Sequence, residues 1–158
     1  MLTGVRHTAV LVLGFVLLVL MMACGGTPTP LTPEETLTKR AESSSLTTSR
    51  EDWLELYKYL SLRTREVCKN GEYAVAMVMK IGMVKGLIGL PEDAKLTFPV
   101  LRVTVDGDIG RVYSGLKHDG DVIEFGEGQV EDVGERWVYV DGEWWHEEDD
   151  WETTCDFL

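Results

Sequence analysis

The periodicity of the apolar residues changes from that of a helix to that of a strand near Lys95. Before this residue, apolar side chains recur at helical spacing, whereas after it Leu101, Val103 and Val105 alternate with polar residues. A chain that forms helices first and alternating strands afterwards is typical of an α+β domain. We therefore predict an α+β fold, with about three helices packed on a curved antiparallel sheet of about five strands.

The helical pattern predicts three segments. The first begins at Ser49, a residue type that caps helix N-termini, the second covers residues 63–68, and the third runs for about 12 to 15 residues from Glu72. The pair Asn70-Gly71 separates the second segment from the third, because both residue types disfavour the interior of a helix. The apolar side chains at helical spacing in the first segment are Trp53, Leu56, Tyr57 and Leu60.

Three Asp-Gly pairs punctuate the strand region, at residues 106–107, 119–120 and 141–142. Both residue types tolerate a positive φ, which two-residue hairpin turns require. Each pair is therefore predicted to connect two antiparallel strands.

The N-terminal segment predicts a signal peptide over residues 1–23. Arg6 precedes an apolar run of about 15 residues, which is short for a bilayer-spanning helix, and the run ends at small residues beside Cys24. The ending Leu20-Met21-Met22-Ala23-Cys24 resembles a bacterial lipoprotein box, which implies lipidation of Cys24 and attachment to a membrane of the bacterial cell envelope on its extracytoplasmic side. An ordinary secretory signal and an uncleaved anchor are the alternatives.

Residues 24–48 differ in composition from the chain that follows. Between Gly25 and Thr48, ten residues are Ser or Thr, three are Pro and none is aromatic. Such a segment buries too little apolar surface to offset its ordering entropy. We predict a flexible, lipid-anchored tether over residues 24–48 and one domain over residues 49–158.

Three cysteines are present, and Cys24 is assigned to the lipid. Cys68 and Cys155 then lie in an oxidising compartment, which predicts one disulfide between them; two unpaired buried thiols are the alternative. The chain has no Cys-x-x-Cys pair, so redox catalysis is disfavoured.

The formal net charge of −12 is concentrated at one end of the chain. Residues 119–158 hold 15 acidic residues against Arg136 alone, whereas residues 49–118 are nearly neutral. An acidic protein repels the phosphate backbone, so we exclude nucleic acid as a partner. A cationic partner for the acidic face is a hypothesis, and a solvated acidic surface is the alternative.

Four segments of the folded part form a common pattern, at residues 53–57, 61–68, 103–108 and 137–145. Together they resemble the nuclear-transport-factor-two-like (SnoaL-like) cone-fold superfamily, and in particular its uncharacterised bacterial lipoprotein members. The resemblance implies a bent sheet wrapped over a long helix, with an apolar pocket between them. The residues expected to line the pocket are Trp53, Tyr57, Met77, Ile81, Trp137, Tyr139 and Trp145.

No catalytic, metal or cofactor site is predicted. Enzymes of this superfamily use a His/Asp pair or a carboxylate inside the cone, but His118 lies beside a predicted hairpin turn. His146 precedes four acidic residues, which favour its charged form over that of a general base. The segment 106–110 lacks the glycine and the closing glutamate of a calcium loop, and the acidic run 147–150 has nothing to fix a full shell of oxygens.

Three functions remain open. The first is non-enzymatic binding of a small apolar ligand or a partner protein. The second is an isomerase, dehydratase or cyclase acting on a small hydrophobic substrate, and the third is a structural module that forms a homodimer through its exposed sheet face. A buried ionisable group in the pocket favours the enzyme, an open pocket favours binding, and a pocket filled by tryptophans favours the dimer.

Overall fold

Helices precede strands in the structure, a computed structural model that describes residues 30–123, 134–148 and 155. In this part of the chain the helices are α1 (Pro33–Ser49), α2 (Trp53–Leu56), α3 (Leu62–Val67) and α4 (Asn70–Leu87), with a 3-10 helix at Tyr57–Tyr59. The strands are β1 (Leu96–Thr97), β2 (Val100–Asp106), β3 (Ile109–Ser114), β4 (Lys117–His118), β5 (Asp121–Val122), β6 (Glu135–Val140) and β7 (Glu143–Glu147). The predicted α+β class is confirmed.

Helix α1 lies in the segment that we predicted to be a flexible tether, so that prediction is wrong from Pro33 onward. The Oγ1 atom of Thr32 accepts a hydrogen bond from the backbone N–H of Glu35 (3.2 Å), and the Glu35 carboxylate accepts one from the N–H of Thr32 (2.8 Å). This capping box starts the helix, and Leu37 and Ala41 are buried beneath it. The second compact unit of the chain therefore begins at Leu31, and residues 24–29, with Cys24, lie outside the described residues.

The hydroxyl groups of α1 explain how so polar a sequence forms a helix. Those of Thr38, Ser43 and Thr47 donate to the backbone carbonyl four residues earlier, at 2.7 to 2.9 Å. These side chains are satisfied without leaving the helix. Few apolar residues are then enough to hold α1, provided that another element covers them.

The predicted helix after Ser49 is shorter than its pattern suggests. Asp52, not Ser49, is the N-cap, and its carboxylate accepts from the N–H of Glu55 (3.1 Å). Only one α-helical turn and the 3-10 helix follow before Leu60. Helix α4 is longer than predicted, because Asn70-Gly71 begins it: the Glu72 carboxylate accepts from the N–H of Lys69 (2.9 Å).

An ion pair joins the turn after α1 to the end of α4. The Lys85 Nζ atom is buried and lies 3.0 Å from the Glu51 carboxylate, and Lys95 lies 3.4 Å from it. The hydrogen bond from Lys85 holds the pKa of Glu51 below its ordinary value, and Lys95 adds to the effect. This pair compensates the buried ammonium group.

The strands form two antiparallel sheets: β2-β3-β6-β7 and β1-β4-β5. About five strands were predicted, and the described residues contain seven, because two-residue strands show no alternation in the sequence. The three Asp-Gly turns are confirmed: Gly107 has φ +59°, and the other two pairs, Asp119-Gly120 and Asp141-Gly142, have positive φ at both residues.

The described core has two parts. One joins α2, α3 and α4 through residues such as Leu56, Leu60 and Tyr73, and the other joins α1 to the four-stranded sheet through Leu37, Ala41, Val112, Trp137 and Trp144. Gly110 lies opposite Trp137 in the sheet, and a Cβ atom on Gly110 would collide with the side chain of Leu37. A glycine is therefore required where α1 crosses β3.

Cys68 and Cys155 form a disulfide, with Cα atoms 5.7 Å apart, which confirms the predicted pairing. It joins the end of α3 to a residue near the C-terminus, 87 positions later in the chain. Cys68 is buried in the helical part of the core, and Cys155 packs against that same part. The bond thus ties the acidic end of the chain to the helices.

We expect Gly110→Ala to lower the free energy of unfolding by about 1 to 3 kcal/mol, because the new methyl group displaces Leu37 from the sheet. Gly82→Ala is the matched control: Gly82 lies in α4 with open space around its Cα, so alanine should raise stability by about 0.5 to 1 kcal/mol. Urea unfolding curves measure both. Equal effects of the two variants would contradict the close crossing of α1 and β3.

Candidate functional site

A cavity of about 420 Å³ lies between α1, α4 and the four-stranded sheet. This volume falls in the usual range for small-molecule sites. The described residues that line it are Ala41, Ser44, Ser45, Thr48, Leu56, Tyr73, Met77, Lys80, Ile81, Val84, Phe98, Val112, Tyr113, Ser114, Gly134, Glu135, Arg136, His146, Glu147 and Glu148.

Helix α4 supplies most of the apolar wall. Met77, Ile81 and Val84 follow one another at i, i+4 and i+7, so they share one face of the helix. Phe98 extends this wall; its backbone N–H donates to the Ser49 hydroxyl (3.3 Å) and its carbonyl accepts from the Ser45 hydroxyl of α1. The apolar surface is thus held from both helices.

Strands β6 and β7 supply a charged wall. Arg136 and Glu147 are directly paired across the two strands, with the Arg136 Nε atom 2.7 Å from the carboxylate. Glu148 lies 3.9 Å from the Lys80 Nζ atom of α4. Glu147 and Glu148 are both largely buried, so their cationic partners offset the cost of removing them from water.

Tyr73 is the buried ionisable group of the cavity. Its side chain is 2% exposed, and its hydroxyl donates to Glu148 at 3.5 Å. Burial raises the pKa of Tyr73 well above its ordinary value, and the negative charges of Glu148 and Glu135 raise it further. The hydroxyl therefore stays protonated and can donate a hydrogen bond within the cavity.

Two of the seven residues predicted to line a pocket, Met77 and Ile81, line this cavity. Trp53 is buried in the helical core instead. The hydroxyl of Tyr57 donates to the carbonyls of Arg65 (3.1 Å) and Cys68 (2.9 Å), so it fixes the end of α3.

The three aromatic residues predicted on the sheet lie elsewhere. Trp137 is 1% exposed, stacked 5.3 Å from His146, and covered by α1, while Tyr139 is half-exposed against Trp144. Strand alternation places Trp137 and Tyr139 on one face, as expected, but α1 fills the space above Trp137 and Trp144. Trp145 points to the opposite face, where it meets Arg40 and Arg65.

Sequence reasoning missed the charged wall and Tyr73. Tyr73 precedes Met77 by one helical turn, so helical spacing alone could have included it. Lys80 likewise follows Met77 by one helical turn, and the predicted turn at residues 141–142 sets Arg136 opposite Glu147, so the sequence contained a signal for both. The contact of Lys80 with Glu148 gave no such signal, because it depends on how the end of β7 approaches α4.

The two histidines of the folded unit have different surroundings. His118 ends β4 at a hairpin turn, with its Nδ1 atom 3.1 Å from the carbonyl of Lys95. His146 borders the cavity and stacks on Trp137. Asp106 and Asp108 flank Gly107 in the β2–β3 turn.

Within residues 30–123, 134–148 and 155, no three His, Cys, Asp or Glu side chains are grouped so that they could hold a metal ion. None of the helices in the same residues is both long and apolar enough to cross a bilayer.

No protein family, no curated protein and no solved structure shows a significant match to the chain.

We expect the ultraviolet absorbance of tyrosinate to show one of the five tyrosines ionising at a higher pH than its ordinary value. Neutral Tyr73 is favoured in the folded state, so its contribution to stability is complete below pH about 10 and is lost as the pH rises toward its raised pKa. Tyr73→Phe should remove the late-ionising group and flatten the alkaline loss of stability. Glu148→Gln should move this ionisation part of the way toward lower pH, since burial remains. If Tyr73→Phe still contained a tyrosine that ionises at a raised pH, the assignment of this ionisation to Tyr73 would be contradicted.

Proposed function

We propose that this protein is a membrane-anchored extracytoplasmic lipoprotein whose folded unit binds a small apolar ligand without transforming it. The observation that carries the proposal is the cavity of about 420 Å³ between α1, α4 and the sheet. Trp137 and Trp144 fill the sheet face beneath α1 but leave this space open.

The lining indicates the chemistry of the ligand. Met77, Ile81, Val84 and Phe98 favour an apolar body, since burying apolar surface contributes roughly 25 cal/mol per Å². The hydroxyl of Tyr73 and the charged wall favour a polar group at one side of the ligand. Methionine adapts its shape, so the wall can accommodate ligands of differing outline.

The cone-type architecture and the anchor are further parts of the proposal. Two long helices, α1 and α4, border a cavity over an antiparallel sheet, which supports a cone. The apolar run that ends at the small residues Ala23 and Cys24 supports a lipid on Cys24. A buried methylene contributes about 0.8 kcal/mol to membrane attachment, so an acylated chain is held at the bilayer surface.

An enzyme of the isomerase, dehydratase or cyclase type is the second candidate. The observation that favours it is the Tyr73 hydroxyl, which is buried beside Glu148 in the cavity wall. The hydroxyl would have to turn its one proton from Glu148 to the substrate, where it would stabilise negative charge that develops on a carbonyl oxygen. Conversion of a co-purified ligand by wild type but not by Tyr73→Phe would favour this candidate over simple binding.

We expect native mass spectrometry of the full chain, purified from its own host, to show a co-purified small molecule. Ile81→Trp should abolish this mass, because the larger ring fills the cavity from α4. Val78→Trp is the matched control: Val78 is 57% exposed on the same helix, so its variant should keep the ligand. The masses in the same spectra also test whether the chain forms a homodimer.

The anilinonaphthalene dye ANS provides a second measurement for protein that loses its ligand during purification. Its fluorescence should rise with wild type and Val78→Trp but not with folded Ile81→Trp. Absence of both a co-purified mass and dye binding in wild type would overturn the binding proposal. A dimer without ligand would favour the structural module instead.

We expect the mature protein to begin at Cys24 with the added mass of its acyl groups. Cys24→Ser should lack this mass. When a detergent solution is separated into two phases, less of this variant than of wild type should enter the detergent phase, because the acyl chains are absent. Cys155→Ser should retain the modification, since it affects only the disulfide. An unmodified wild-type chain that begins after residue 23 would instead indicate an ordinary secretory signal.

A further inference from the structure

We infer that Arg40, Arg65 and Trp145 form a site for a phosphate or phosphodiester group. This site lies outside the cavity, whose lining contains none of these three residues. It is therefore a second binding function, independent of the ligand proposed above.

Three parts of the chain bring the site together. The backbone N–H of Ser61 donates to the carbonyl of His146 (2.7 Å), and Leu60 forms a parallel bridge with the same residue. This contact places the segment from Tyr59 to Arg65 alongside β7. Arg40 comes from α1, and its guanidinium group contacts two residues of β7, the ring of Trp145 and the carboxylate of Glu143 (3.5 Å).

Two guanidinium groups share one indole ring. The Cζ atoms of Arg40 and Arg65 lie 5.1 and 5.0 Å from the centroid of Trp145, so they are no more than about 10 Å apart. Arg40 also lies 4.9 Å from the ring of Tyr59. The aromatic rings thus hold both cations in fixed places without neutralising them.

The positive charge of the pair is compensated only in part. Arg40 has one carboxylate nearby, Glu143 at 3.5 Å, and that side chain is 55% exposed. Among the described residues, Arg65 has no carboxylate within ion-pair distance. Within the part of the chain that the structure describes, two close cations thus have one weakly held carboxylate between them, in a protein of net charge −12.

Hydrogen-bonding capacity is also left over. The Nε atoms of Arg40 and Arg65 are buried and have no acceptor among the described residues, while 30% of the Arg40 side chain is exposed, so a ligand from solvent would meet the guanidinium groups at their exposed atoms. A stacked guanidinium keeps its in-plane donors available to an oxyanion, and phosphate matches the planar fork in a bidentate manner. A phosphate bound beside the ring would be attracted by the charges of both groups.

The short chain between Cys24 and α1 indicates where such a group could come from. Eight residues separate Cys24 from Pro33, and a fully extended segment of this length spans at most about 28 Å. If Cys24 carries a lipid, phosphodiester headgroups lie within reach of the folded unit. Trp145 and Tyr59 are residue types that favour the boundary between water and lipid.

The test is a titration of the full chain in nonionic detergent at constant ionic strength, followed by tryptophan fluorescence. The probes are inorganic phosphate and dihexanoylphosphatidylglycerol below its micelle concentration. We expect a saturable change that the double variant Arg40→Gln/Arg65→Gln, which keeps Trp145 as the reporter, abolishes. Arg40→Gln and Arg65→Gln should each weaken binding about tenfold.

Arg102→Gln is the matched control, because Arg102 also stacks on an aromatic ring, that of Tyr113 at 3.8 Å, but has no second arginine on it. It should leave binding unchanged. Arg40→Lys and Arg65→Lys serve if the glutamine variants do not fold. They keep the positive charge but lose the planar pair of donors, so they should fold and bind more weakly than wild type.

Saturation by both probes supports a site for phosphate from either source, and saturation by the lipid alone supports a headgroup site. No saturation with either probe overturns the proposal, as does an equal loss in Arg102→Gln. The ligand of the cavity does not enter this measurement, so failure here and failure of the proposed function are separate results.

Discussion

The crossing of α1 over β3 at Gly110 is the contact on which the remaining architecture depends. Because this residue has no side chain, Leu37 can lie against the sheet. The indole N–H of Trp144 donates to the hydroxyl of Thr36 (3.1 Å), which fixes the helix along its axis. Once α1 is held there, it covers Trp137 and Trp144. These two residues are therefore part of the core and do not contact a ligand in the cavity.

The cavity follows from this arrangement. Helix α4 lies on the other side of the open space, where Met77 and Ile81 pack partly in the helical core and partly face the charged ends of β6 and β7. A large apolar surface and a buried hydroxyl therefore border the same volume. The position of α1 therefore has two results. It covers the part of the sheet that carries Trp137 and Trp144, and it leaves the neighbouring space open as the cavity.

The adjacent residues Trp144 and Trp145 show how strand alternation divides function between two faces. The first is buried under α1, and the second points the other way, where it orders Arg40 and Arg65. This division concentrates positive charge on a small surface of an acidic protein. The proposed phosphate site around Trp145 and the cavity are thus made of different residues.

Several features could be predicted because their causes are local. An Asp-Gly pair between alternating segments forms a hairpin turn wherever it occurs, and two cysteines beyond a predicted export signal favour a disulfide. The prediction of a flexible tether failed in the Ser/Thr-rich segment. Composition shows how much apolar surface a segment has by itself, but not which other elements pack on it. Helix α1 is held by Leu37 and Ala41 against strands that lie about 70 to 105 residues later in the sequence.

The sequence by itself determined the α+β class, the antiparallel hairpins and the pairing of Cys68 with Cys155, since each depends on residue type and spacing along the chain. Only the tertiary structure decided that α1 is folded, which aromatic residues are core, and where the cavity and the two arginines lie. The physical reason is that burial and charge compensation depend on residues distant in sequence, such as Tyr73 with Glu148 and Arg40 with Trp145.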